Sequence, residues 1–158
     1  MRMAAIEQVK QYENVYGRLQ DLERAVSEEE RDGRSRTRCG FEYGAGPCGV
    51  CMFRAGCEET VQASRWKVWE LRTGIYRNYS KLAENVRTAL KEDPASERLR
   101  VLLARILRSL ARNDMVLGEG RKEMAQESFR LFTDLYYQTG APVYREEAES
   151  ARILAAQL

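Results

Sequence analysis

The chain has 158 residues, with 26 lysines and arginines, 24 aspartates and glutamates, and no histidine. Hydrophobic residues make up 44% and charged residues 32%, enough apolar material for one core without disulfide staples, and more surface charge than most globular domains. A net charge of +2 does not by itself select a polyanion partner, and the lack of histidine removes the commonest acid–base side chain and a common metal ligand.

Residues 3–31 are predicted as one long helix. Ile6, Val9, Tyr12, Val15, Leu19, Leu22 and Val26 recur at threes and fours and form an apolar stripe. Asp32-Gly33 is expected to end it, because glycine takes the left-handed cap conformation cheaply. The opening Met1-Arg2-Met3-Ala4-Ala5-Ile6-Glu7-Gln8 is too polar for a secretory signal core. No stretch approaches the ~20 apolar residues of a membrane span. The expectation is a soluble, cytoplasmic protein in a reducing compartment, with no membrane association.

A glycine-rich segment follows, and it holds every cysteine of the chain. A second long helix is predicted from 58 to 92, with Val61, Val68, Leu71, Ile75, Tyr79, Leu82, Val86 and Leu90 on one stripe, widened by Trp66, Trp69 and Tyr76. Asp93-Pro94 breaks it, since the residue before proline avoids the helical region. A third helix spans about 95–113, with Leu99, Leu102, Leu103, Ile106, Leu107 and Leu110 inward. A fourth runs over 121–138, with Met124, Leu131, Phe132, Leu135 and Tyr136 inward. Gly140 and Pro142 then stop one helix and start the last, over 142–157. No β-run and no repeat of fixed period is present. The expected fold is all-α, a bundle of four to five helices, two of them long. It is read as one domain over 1–158 with a cysteine-rich metal loop at 33–57 between the first two helices. The long helices suit an antiparallel pair or a homodimer interface.

The cysteines Cys39, Cys48, Cys51 and Cys57 follow the spacing C-x8-C-x2-C-x5-C. In a reducing compartment such a cluster favours metal or redox chemistry over disulfides. A C-x2-C pair lets two thiolates converge on one ion, and Cys39 and Cys57 complete a four-sulfur shell. The bland reading is four partly buried free thiols. Zinc is the first assignment. A 4Fe–4S cluster is the alternative, because clusters tolerate wide and uneven spacing. The Cys48, Cys51 and Cys57 half resembles the clustered half of the WhiB-type iron–sulfur regulators, and that resemblance implies a redox-sensing regulator. Those proteins place the first cysteine further upstream and carry a glycine–tryptophan turn after the cluster. Here the first gap is eight residues, and Trp66 and Trp69 fall within a predicted helix.

Arginine outnumbers lysine by 21 to 5, a skew that suits phosphate or carboxylate partners and also arises from codon bias. Arg34, Arg36 and Arg38, with Ser35 and Thr37 between them, lead into Cys39 and are candidate phosphate contacts together with Arg54. Phe41 and Tyr43 could stack on bases. Four thiolates on a divalent ion leave a charge of about −2, which the neighbouring arginines would equally offset. On the third helix Arg105, Arg108 and Arg112 share a face with Arg98 and form a second candidate surface; a solvated charged face is the duller reading. No P-loop, nucleophile elbow or paired-carboxylate motif is present, and Gly118-Glu119-Gly120-Arg121-Lys122 lacks the rest of a phosphate-binding loop. The sequence therefore points to a non-enzymatic regulatory or accessory protein. It would be pinned by zinc and contact nucleic acid, or an acidic protein partner, through arginines. The alternatives are an iron–sulfur redox sensor and a zinc-clipped protein–protein scaffold.

Overall fold

The computed structural model describes residues 2–35, 44, 48–113 and 118–158, with side chains placed for 5–33, 44, 48–113 and 120–158. Among the described residues the chain is all-α and has no strand. Its helices are α1 (Arg2–Ser35), α2 (Arg54–Glu92), α3 (Glu97–Ala111), α4 (Gly118–Thr139) and α5 (Pro142–Gln157), with one 3-10 turn, Cys48–Val50, ahead of α2. None of these helices is long and apolar enough to cross a membrane. The chain divides into two compact units, one made of Met1–Leu19 and Tyr76–Leu158, the other of Gln20–Ile75.

In the first unit α4 packs against both α3 and α5. Local chemistry sets the boundaries. α2 stops before Pro94, and the Ser96 hydroxyl accepts the Leu99 N–H at 3.3 Å to cap α3. The Gly140 N–H donates to the Tyr136 carbonyl at 2.7 Å where α4 ends, and Pro142 opens α5. α3 is enclosed on most of its circumference, burying Leu99, Leu102, Leu103, Ala104, Ile106, Leu107, Leu110 and Ala111. Against it α4 buries Ala125, Ser128, Phe132 and Leu135, and α5 adds Ala148 and Ala151. The fully buried Ser128 hydroxyl donates to the Ala104 carbonyl at 2.7 Å, so this one polar group in the α3–α4 contact is satisfied. Ion pairs tie the rim: Arg87 of α2 grips Glu127 of α4 through two bonds of 2.7 and 2.8 Å, and Arg98 of α3 reaches Glu13 of α1. The Glu127 carboxylate raises the Arg87 pKa above its already high ordinary value.

In the second unit α1 and α2 form an antiparallel hairpin. Glu29 meets Lys67 and Gly33 meets Ser64, so the numbering falls on one helix as it rises on the other. The inward residues of α1 step by three and four: Glu23, Val26, Glu30 and Gly33. Those of α2 are Cys57, Val61, Ser64, Val68 and Ile75. This heptad-like seam is the spacing of a two-stranded coiled coil. It corrects two expectations. Gly33 does not end α1; it is buried within a helix that continues to Ser35, and its φ is not positive. A methyl group in place of its hydrogen would lie 1.8 Å from Ser64 Oγ and 2.6 Å from Ser64 Cβ. The glycine lets two backbones approach, which is a different use from a helix cap. Ile6, Val15 and Leu22, expected in the stripe, are exposed.

Candidate functional site

The cysteine segment is the only part of the sequence with a recognisable chemical pattern, and it lies between α1 and α2. The helices are longer than expected there: α1 runs to Ser35 and α2 begins at Arg54. Cys39, Arg36, Arg38, Phe41 and Tyr43 lie outside the described residues. Arg34 belongs to the last turn of α1, and its side chain lies outside them as well.

The described part is a relay of turns. The Cys51 N–H donates to the Cys48 carbonyl at 3.4 Å, the Arg54 N–H to the Cys51 carbonyl at 3.1 Å, and the Cys57 N–H to the Phe53 carbonyl at 3.1 Å. The C-x2-C pair therefore feeds directly into α2, and Cys57 lies in that helix's first turn. Cys48 and Cys51 are half-buried, Cys57 is buried, and all three are free of disulfides. The Gly44 N–H donates to Cys48 Sγ at 3.3 Å. It does so from a backbone φ of 91°, which glycine adopts without strain. A charged sulfur accepts such a bond more strongly than a thiol does. Arg54 braces the turn, with Nε on Glu58 at 2.9 Å and Nη1 on the Gly49 carbonyl at 3.5 Å. Its cation is thus partly committed to the turn. Among the described residues no three metal-ligating side chains gather closely enough to hold an ion. The fourth expected sulfur, Cys39, is outside that set. Val50 and Met52 project almost fully into solvent beside the pair, at 90% and 87% exposure.

The basic face of α3 is built differently from its sequence reading. Arg108 forms an ion pair with Glu147 of α5, its side chain only 13% exposed, and its guanidinium lies 5.5 Å from the centre of the Phe132 ring. Arg105 and Arg100 both lie close enough to act on Tyr144 of α5. The Tyr144 phenol donates to Glu97, and that bond, with some burial, raises its pKa. Arg100 also bonds Gln138. Arg108 and Arg112 line one small concavity of about 260 Å³ together with Glu146, Glu147 and Ser150. The arginine row is therefore largely where α3 meets the polar side chains of α4 and α5. Glu147→Ala should cost about 1–3 kcal/mol by leaving Arg108 unpaired beside Phe132. A urea-unfolding double-mutant cycle with Arg108→Met reads the pairwise part, and additivity would show the pair to be idle.

Trp66 and Trp69 were expected to widen the buried stripe of α2. They instead stand outward, 58% and 50% exposed, with rings in edge contact at 5.9 Å between centroids. Their positions already carried the signal. At about 100° per residue Trp66 falls opposite Val61, Ser64 and Val68, on the far side of the helix from the seam. Comparison with protein-family models, with curated proteins and with solved structures gives no match for this chain.

Proposed function

We propose that this protein is a non-enzymatic helical assembly module whose α1–α2 hairpin is closed by zinc on Cys48, Cys51, Cys57 and Cys39. The observation that carries the reading is the Cys48 sulfur. It accepts a backbone N–H from Gly44, and its C-x2-C turn runs without a break into a helix that holds a third cysteine in its first turn. The positive end of the α2 dipole supports anionic sulfur at that position. The half-exposed Trp66 and Trp69, in edge contact with each other on the outer face of α2, support an assembly role, because adjoining exposed aromatic rings suit a contact surface.

A second reading, contact with nucleic acid through Arg34, Arg36 and Arg38, is favoured by the four arginines between positions 31 and 38. Arg54 and Arg108 serve it less well, since each is engaged by a carboxylate. Protein purified under reducing conditions should contain about one zinc per chain and no colour. Cys48→Ser with Cys51→Ser should lose that zinc and retain most of its helical circular dichroism. Full metal content in the double variant would refute the ligand set. Brown protein with iron and sulfide would replace zinc by a cluster. Binding to a nucleic-acid oligomer that falls steeply with salt, and that is lost on replacing Arg34, Arg36 and Arg38 by alanine, would move the function to the second reading.

A further inference from the structure

Cys48 and Cys51 stand at the two ends of the 3-10 turn ahead of α2, and the bond that closes the turn runs from the Cys51 N–H to the Cys48 carbonyl. We propose that this pair is a reversible redox switch, in which a hydroperoxide closes a Cys48–Cys51 disulfide and leaves Cys57 as a thiol. The bridge forms with or without metal; only the release of zinc that accompanies it rests on the zinc reading.

The turn supplies the spacing. A backbone bond from residue i+3 back to residue i draws their Cα atoms to within about 7 Å, and a disulfide needs about 4.4–6.8 Å. In a 3-10 turn the side chains of those two residues eclipse, so both sulfurs start from the same side of the chain. Arg54 holds this shape in the reduced protein, with Nη1 on the Gly49 carbonyl inside the turn and Nε on Glu58 in α2. Access separates the pair from the third cysteine. Cys48 and Cys51 are half-buried, and Val50 and Met52, on either side of Cys51, are almost fully exposed. A small oxidant therefore reaches the turn from solvent. Cys57 is only 8% exposed and lies on the inward stripe of α2 with Val61, Ser64 and Val68.

The chemistry balances in two steps. One thiol of the pair attacks the hydroperoxide: an S–O bond forms, the O–O bond breaks, and an alcohol leaves (water, for hydrogen peroxide). The second thiol attacks the sulfenic sulfur so made: the S–S bond forms, the S–O bond breaks, and water leaves. Two electrons pass from the sulfurs to the peroxide, and the two thiol protons depart in the alcohol and the water. Where zinc is held, both sulfurs give up their bonds to it, the protons come from solvent, and the ion is released. The closed loop spans only Cys48 to Cys51, so the bridge removes little freedom from the unfolded chain and adds little stability. Exposed bridges of that kind are the ones that thiol exchange reopens, as a switch requires.

The test uses the unmodified full chain, reduced and divided into a zinc-loaded and a chelator-treated sample. Each receives one equivalent of hydrogen peroxide, and the remaining thiols are then alkylated. Trypsin cuts after Arg38, Arg54 and Arg65, so Cys39, Cys48 and Cys51 share one peptide and Cys57 lies in the next. Mass spectrometry should find the first peptide short of two hydrogens, with one alkyl group placed on Cys39 by fragmentation, and Cys57 alkylated. The thiols of the pair should disappear about tenfold faster than that of Cys57, because burial shields it. Dithiothreitol should return every cysteine to the thiol. A bridge that uses Cys39 or Cys57, or one between two chains, overturns the proposal. So does oxidation that ends in a sulfinic acid, or in a sulfoxide at Met52, with no bridge. The variant Cys57→Ser should bridge at the parent's rate, and loss of the bridge there would equally overturn it. Zinc set free, read with a chromogenic chelator, should match the bridge formed. A Cys48–Cys51 bridge in a chain that never bound zinc refutes the zinc reading and supports the switch. Bound zinc with no bridge in either sample does the reverse, so the two readings fail separately.

Discussion

Gly33→Leu should destabilise the hairpin of Gln20–Ile75 by about 3 kcal/mol, and Gly33→Ala by about 1–3 kcal/mol. A Cβ at this position would meet Ser64 Oγ at 1.8 Å and Ser64 Cβ at 2.6 Å. The hydroxyl can rotate away. The Ser64 Cβ is fixed to its backbone, so the helices must part, and parting loosens the buried contacts of Val26, Val61 and Val68. The rescue is specific: Ser64→Gly in the Gly33→Ala background removes the obstructing atom and should recover most of the loss. Gly17 and Gly74 serve as controls. Nothing lies within 4 Å of a methyl group at either. Gly17→Ala and Gly74→Ala should each stabilise by roughly 0.5–1 kcal/mol, because alanine is the better helix former. Hydrogen exchange of amides within residues 20–35 and 54–75 would read these changes locally. Equal protection in Gly33→Leu and the parent would disprove the close approach.

Phe132→Ala should cost about 3–5 kcal/mol. The ring has no exposure and packs with Ala104, Leu135 and Ala148, with Val101, Phe129, Leu131 and Tyr144 around them. Alanines at positions 104 and 148 leave no long side chain to swing into the void. The lost ring also takes away the surface on which the Arg108 guanidinium rests. Urea unfolding followed by circular dichroism measures the loss. A cost below about 1 kcal/mol would mean that the ring is not at the centre of the α3–α4–α5 core. Phe132→Leu, which keeps most of the volume, should recover more than half of the stability.

The all-α class and the run of elements were legible in the sequence because proline, glycine and the Ser96 cap punctuate long periodic segments. The break at Pro94 and the Gly140–Pro142 junction fall where local chemistry alone places them. The α1 seam was not legible in the same way. Three of its inward positions are Glu23, Glu30 and Gly33, and none of them is an apolar residue. Periodicity counted on hydrophobic residues therefore favoured Leu22, which is exposed. The same cause misplaced Trp66 and Trp69, which were assigned by hydrophobicity although their angle on the helix put them outside. At the cysteines the C-x2-C pattern pointed to a turn, and the structure has one at Cys48–Val50. The arginines of α3 looked like a free basic face because Glu147 and Tyr144, which meet them, are about forty residues away in sequence.

The Gly33–Ser64 contact also has an entropic consequence. Bringing two points of a chain together across some thirty residues costs about 3 kcal/mol in lost freedom. In this protein the buried seam of α1 and α2 supplies that closure. The zinc proposed for the cysteines would therefore meet a stretch of chain whose flanking helices are already joined. Its removal would then leave the two helices zipped along the seam.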